Sequence, residues 1–81
     1  MNRDTLYALF IEELVNVAPD LDAGTISKDD QLQDDLELDS MDVLNLVAAL
    51  HERLRIDIPE DDYVQIETPA KAADYLAARL K

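Results

Sequence analysis

Residues 39–54 read Asp39-Ser40-Met41-Asp42-Val43-Leu44-Asn45-Leu46-Val47-Ala48-Ala49-Leu50-His51-Glu52-Arg53-Leu54. Val43, Val47, Leu50 and Leu54 recur at spacings of three and four, which sets them on one helical face, and Leu44 and Leu46 widen that stripe. So broad an apolar face predicts a central helix from Ser40 to Leu54 that touches several neighbours. Its start is marked by Asp39, whose carboxylate can accept from backbone N–H groups of the first turn. With Asp39 as the cap, Ser40 falls at the first helical position, and its hydroxyl is left free at a surface corner. The amides and the positive dipole end at that corner favour a phosphate, while the carboxylates of Asp39 and Asp42 oppose it. Local chemistry by itself also fits an ordinary first-turn serine, a residue type common at helix starts.

Upstream, Leu6, Leu9, Phe10, Leu14 and Val17 fall at helical spacing and predict a first helix over residues 3–17. Pro19 ends it, because a proline disfavours helical geometry at the preceding Ala18. A stretch of roughly twenty residues follows, far longer than the usual connection of about 4–6, so it is either functional or pinned down locally. Leu21, Ile26, Leu32, Leu36 and Leu38 are the expected pins. Downstream, Pro59 before Glu60, Asp61 and Asp62 predicts a short helix, with proline in the first turn and acids beside the positive dipole end, finishing near Ile66. Thr68-Pro69 starts a last helix through an N-cap hydroxyl and a first-position proline; Ala72, Ala73, Leu76 and Leu80 supply its inward face, and Arg79 and Lys81 suit its negative end. With no strand candidate and no repeat, the expected fold is all-α. It is a single domain over residues 1–81, a small four-helix bundle of three longer helices and one short helix, with a long first loop.

Charge narrows the function. Nineteen Asp and Glu stand against seven Lys and Arg, a formal net charge of −12. Binding nucleic acid by counterion release needs clustered cations, so no nucleic-acid partner is expected. Anionic membranes repel such a chain, and no apolar run approaches the ~18 residues of a membrane span, so no membrane insertion is expected. The N-terminus lacks a basic lead-in to an apolar signal core, which points to the cytoplasm. The field favours solubility and steered encounter with basic patches on other proteins. Nine of the acids lie between Asp20 and Asp42, against Lys28 alone. The absence of cysteine removes disulfides, thiolate nucleophiles and zinc–thiolate sites.

Other chemistry is weaker. Ser40 and His51, the single histidine, are eleven residues apart on one helix, a separation of ~16 Å at about 1.5 Å per residue, so they form no intrahelical dyad and no catalytic residue is assigned. His51 reads as a solvent-facing residue or a partner contact. Asp20, Asp22 and Gly24 superficially suggest a calcium loop, but counting from Asp20 the required Gly and Glu positions hold Thr25 and Gln31, so no metal ligands are assigned. Tyr63 and Tyr75 read as core or rim packing.

The run Asp35-Leu36-Glu37-Leu38-Asp39-Ser40-Met41-Asp42, an apolar helix, and then Ile58-Pro59-Glu60-Asp61 resembles the acyl carrier proteins. The resemblance covers nearly the whole chain, and its length suits a free-standing carrier. It implies that Ser40 receives 4′-phosphopantetheine from coenzyme A through a phosphopantetheinyl transferase. It further implies a monomeric carrier, not an enzyme, that serves acyl-activating and acyl-transferring enzymes. Asp39, Met41, Asp42, Asn45 and Glu52 become the docking residues. Val43, Leu46, Val47, Ile58 and Ile66 become either the lining of an acyl pocket or plain core.

This chain departs from carriers of fatty acid synthesis at Glu37, where they usually have glycine. It departs again at Asn45, His51 and Arg53, where their second helix is acidic. Those departures point to a specialised fatty acid, polyketide or related pathway. An aminoacyl, peptidyl or D-alanyl carrier shares the mechanism. An unmodified acidic adaptor is the alternative of another class, and it predicts no dependence on Ser40.

Overall fold

Three α-helices carry the computed structural model, which describes residues 2–80: α1 (Arg3–Val17), α2 (Ser40–Leu54) and α3 (Pro69–Arg79). Lys81, expected at the negative end of the last helix, lies outside the described residues. Two 3₁₀ segments complete the chain, a single turn at Ala23–Thr25 inside the long connection and a longer one at Glu60–Ile66. Among the described residues there is no strand. The all-α expectation therefore holds. The short helix differs in detail, being wound as 3₁₀, with Pro59 immediately before it at the cap and not inside its first turn.

Local chemistry accounts for each start. The Asn2 side chain accepts the Thr5 N–H at 2.8 Å and opens α1, while Ala18 closes it by donating to the Leu14 carbonyl at 2.9 Å. The Thr68 hydroxyl accepts the Lys71 N–H at 3.2 Å, and Pro69 fills the first position of α3. Caps of this kind are each worth ~1 kcal/mol.

The core is built around α1, which packs against both α2 and α3. Leu6, Phe10 and Leu14 of α1, Leu46 and Leu50 of α2, and Leu76 of α3 are wholly shielded from solvent. Burying a side chain of this size contributes about 1.5–3 kcal/mol, so these six dominate the favourable side of folding. The stripe expected on α2 is corrected in one respect. Its centre is Leu46 and Leu50, flanked by partly buried Val43, Val47 and Leu54, and Leu44 turns outward with 46% of its surface exposed. The reason is topological: α2 rests on α1 and stands off from α3 and from the 60–66 helix, so a narrower face is covered than its breadth of apolar residues suggests.

The long connection is pinned as expected, and by more than its leucines. Leu32 and Leu38 are buried, and Leu21, Ile26 and Leu36 pack partly against the core. Backbone bonds from Leu32 to Glu67 and from Ala70 to Lys28, each 2.9 Å, tie the connection to the start of α3 and the residues just before it. Its own carboxylates close small turns: Asp22 accepts from Gly24, Asp30 from Ser27 and Asp35 from Gln31.

Tyr75 locks the 60–66 helix onto α3. Its ring is buried and its hydroxyl donates to Asp62 Oδ2 at 2.7 Å. Burial first, and this bond second, push the Tyr75 hydroxyl above its ordinary pKa. A group raised in the folded state contributes stability that is complete below the unfolded value of about 10 and is lost as pH rises through the folded value. Tyr75→Phe is expected to cost about 1–2 kcal/mol at neutral pH and to flatten the alkaline fall in stability. Urea unfolding at neutral pH and above about pH 10 measures both effects.

Candidate functional site

Asp39 and Asp42 define the corner at which α2 begins. Asp39 Oδ1 accepts the Asp42 N–H at 2.8 Å, and Asp42 Oδ2 accepts the Asp39 N–H at 3.3 Å, a reciprocal capping box. The cap at Asp39 was legible in the sequence. The return bond from Asp42 was not, although an acid three residues after a capping acid is the pattern that signals it.

With both carboxylates committed to the backbone, Ser40 is the first helical residue and is exposed. Among the described residues its hydroxyl has no hydrogen-bond partner. It borders a cleft of about 480 Å³ between the end of the long connection, α2 and the 60–66 helix. Leu32, Val43, Leu44 and Ile66 supply apolar lining, and Asp34, Glu60 and Glu67 carry its charge. The cleft exists because α2 stands off from the 60–66 helix. An accessible, unbonded hydroxyl at a helix start, beside space for an attached group, fits covalent extension by a phosphodiester.

The remaining expectations are distributed as follows. Met41, Asn45 and Glu52 are exposed on α2; Asp39 is exposed and Asp42 half-buried, each with its carboxylate turned to the cap. Of the residues expected to line an acyl pocket, Val43 and Ile66 border the cleft at Ser40, while Val47 and Ile58 border a second groove along α2. Leu46 borders neither and belongs to the core. Val64, to which the sequence assigned no role, is 61% exposed and shares the cleft at Ser40 with Leu44, while Met41, next in the chain, is 63% exposed. A valine in a run of polar residues gives no periodic signal, so only its position in the fold reveals it.

His51 has a structural task. Its Nδ1 lies 2.8 Å from the Ile56 carbonyl and 3.1 Å from Asp57 Oδ1, two acceptors, so Nδ1 carries the proton and secures the chain after α2. Among the described residues no cluster of potential ligands could hold a metal, and no helix is long and apolar enough to cross a membrane.

Residues 10–76 match the family model for the phosphopantetheine attachment site. Over 66 residues the chain is 32% identical to an acyl carrier protein of Lactobacillus johnsonii, covering 82% of each chain. It is 36% identical over 74 residues to part of a non-reducing polyketide synthase of Preussia isomera, where the match takes 91% of this chain and spans 3% of the synthase. A solved acyl carrier protein from Enterococcus faecalis shares the fold with a TM-score of 0.79 at 26% identity, over 98% of this chain and 99% of that one. The chain belongs to the phosphopantetheine-attachment family and, within it, to the acyl carrier proteins, which are carriers and not enzymes and whose domain holds 4′-phosphopantetheine covalently.

Glu37 occupies the position three before the serine at which carriers of fatty acid synthesis usually have glycine, and its φ of 59° shows why glycine suits it. The chain doubles back here so that the Leu38 N–H reaches the Leu32 carbonyl at 2.9 Å. A side chain in this left-handed region costs roughly 1 kcal/mol relative to glycine. Glu37→Gly is expected to raise stability by about 0.5–1 kcal/mol, or the thermal midpoint by several degrees. Circular dichroism melting of the two chains side by side measures the shift.

Proposed function

We propose that this chain holds acyl intermediates as thioesters on a 4′-phosphopantetheine arm attached to Ser40, in a specialised fatty acid, polyketide or related pathway. The observation that carries this reading is the Ser40 hydroxyl, exposed and unbonded at the first position of α2 beside the cleft. In the attachment step the Ser40 oxygen forms a phosphodiester bond with the phosphopantetheine phosphate of coenzyme A. Adenosine bisphosphate departs as the pyrophosphate link breaks, and the serine proton passes to the transferase. When attached, the arm supplies the thiol that this cysteine-free chain lacks. The chain's own residues position and recognise: Asp39 and Asp42 hold the corner, and the Ser40 and Met41 amides, at the positive end of α2, favour the phosphate.

Docking is assigned to Met41, Asn45 and Glu52 together with Asp39 and Asp42, and to the exposed Leu44 and Val64 beside them. This face is more apolar and less acidic than charge steering alone requires, which supports specialised acyl-activating and acyl-transferring partners. The similarity to a segment of a polyketide synthase as well as to acyl carrier proteins supports the same range of pathways. The chain is read as a single carrier domain over residues 1–81, monomeric and cytoplasmic, with a net charge of −12 that opposes self-association.

Intact-mass spectrometry after incubation with coenzyme A and a broad phosphopantetheinyl transferase is expected to show one added arm on the native chain and none on Ser40→Ala. A folded native chain that gains no mass removes the reading and favours an acidic adaptor. For docking, Asn45→Glu is expected to improve turnover of the loaded chain by a fatty acid synthase enzyme several-fold; unchanged turnover takes Asn45 out of the recognition face.

A further inference from the structure

From Ser40 a single stripe runs the length of α2. Leu44, Val47, Ala48, His51 and then Arg55, just past the helix end, follow at spacings of three and four residues and so share one face. Leu44 borders the cleft at Ser40 and also the second groove, so the two meet at that side chain. The second groove is apolar where it leaves Leu44, along Val47, Ala48, Ile58 and Pro59, and ends at two guanidinium groups, Arg55 and Arg79.

Arg55 is exceptional in so acidic a chain. Arg3 pairs with Asp74, Arg53 with Glu12 and Glu13, and Lys71 with Glu67. Arg79 donates to the Asp57 carbonyl and lies over the Tyr75 ring. Among the described residues the Arg55 side chain has neither an ion-pair partner nor a hydrogen-bond acceptor, and unlike Lys28, which shares that condition, it borders a groove. Its backbone is also left-handed, with φ 57° and ψ 39°, a conformation in which glycine ends helices without strain. An unpaired cation held at a strained position is a candidate for a function outside the fold.

We infer, on the reading of Ser40 as the attachment point, that Arg55 binds the free carboxylate of an acyl cargo that ends in a second carboxyl group. The arm then runs along the α2 stripe over Val47 and Ala48 and brings the free end of such a cargo to Arg55. Charge separates the two clefts. The one at Ser40 is lined by Asp34 and Glu60, by Glu67, which Lys71 engages at 2.6 Å, and by no cation, and so repels an anionic end group. Glu52 and Asp57 border the second groove as well, but the Asp57 carboxylate is engaged by His51 at 3.1 Å, and Arg55 with Arg79 balances the pair. Reach agrees too. The fifteen residues from Ser40 to Arg55 span about 22 Å at ~1.5 Å each, comparable to an extended arm bearing a short acyl group.

The test loads the isotopically labelled chain from glutaryl-coenzyme A and, in parallel, from pentanoyl-coenzyme A, which has the same chain length without the charge. Intact mass verifies loading before amide and arginine side-chain spectra are compared. Expected are shifts at His51, Arg55 and the Arg55 Nε–H in the glutaryl form alone. They are lost in Arg55→Gln, kept in part in Arg55→Lys, and collapse at about 1 M salt, where the screening length is about 3 Å. The unchanged remainder of each spectrum verifies folding. Identical shifts in the two loaded forms, or glutaryl-specific shifts that survive Arg55→Gln, overturn the assignment. So does an Arg55→Gln chain that keeps those shifts but loads more slowly, which makes Arg55 a transferase contact. A native chain that accepts no arm fails at the mass measurement and takes the Ser40 reading with it, whereas a loaded chain with matching spectra removes the cargo assignment alone.

Discussion

The reciprocal bonds between Asp39 and Asp42 fix which residue begins α2, and so make Ser40 its first residue. Each residue turns an α-helix by about 100°, so a helix that begins at Ser40 holds that side chain at a set angle from Leu46 and Leu50. With those two leucines in the core, that angle leaves Ser40 exposed at the rim of its cleft. Hydrophobic packing sets the same register from the other side, since only this rotation lets α2 cover Leu6, Phe10 and Leu14. Cap and core thus specify one register by independent physics, the consistency that gives a small domain a single native state.

The acidity of the chain is employed more locally than its total suggests. Asp22, Asp30, Asp35, Asp39, Asp42 and Asp62 all accept hydrogen bonds within the protein, and five of them close turns or caps in or beside the long connection. This explains how a loop of such length and charge stays ordered: its carboxylates replace the secondary structure that would otherwise satisfy the backbone. The remaining acids give the chain its negative field, while Met41, Leu44 and Val64 are its exposed large hydrophobic residues.

Both ends of α2 are flanked by non-glycine residues in left-handed conformation, Glu37 before it and Arg55 after it. Each reversal is needed to bring the chain back onto the bundle, and each accepts a cost that glycine would avoid. At Glu37 the gain in the fold is visible, because Leu36 and Leu38 turn inward on either side. At Arg55 the side chain itself finds no partner among the described residues, so what it contributes lies beyond the bundle's own packing.

By itself the sequence determined the three long helices, the cap at Asp39 and the position of Ser40. These rest on periodicity, prolines and capping groups, which act over a few neighbouring residues. Thr68-Pro69 opening α3 and Leu54 ending α2 were legible for the same reason. Tertiary structure alone decided that Leu44 faces outward, that Val64 borders the cleft at Ser40, and that Tyr75 reaches Asp62. It also decided that the clefts open where α2 stands off from the 60–66 helix. Those outcomes depend on which elements pack on which, and a helical repeat states that a face is apolar without stating how much of it a neighbour will cover.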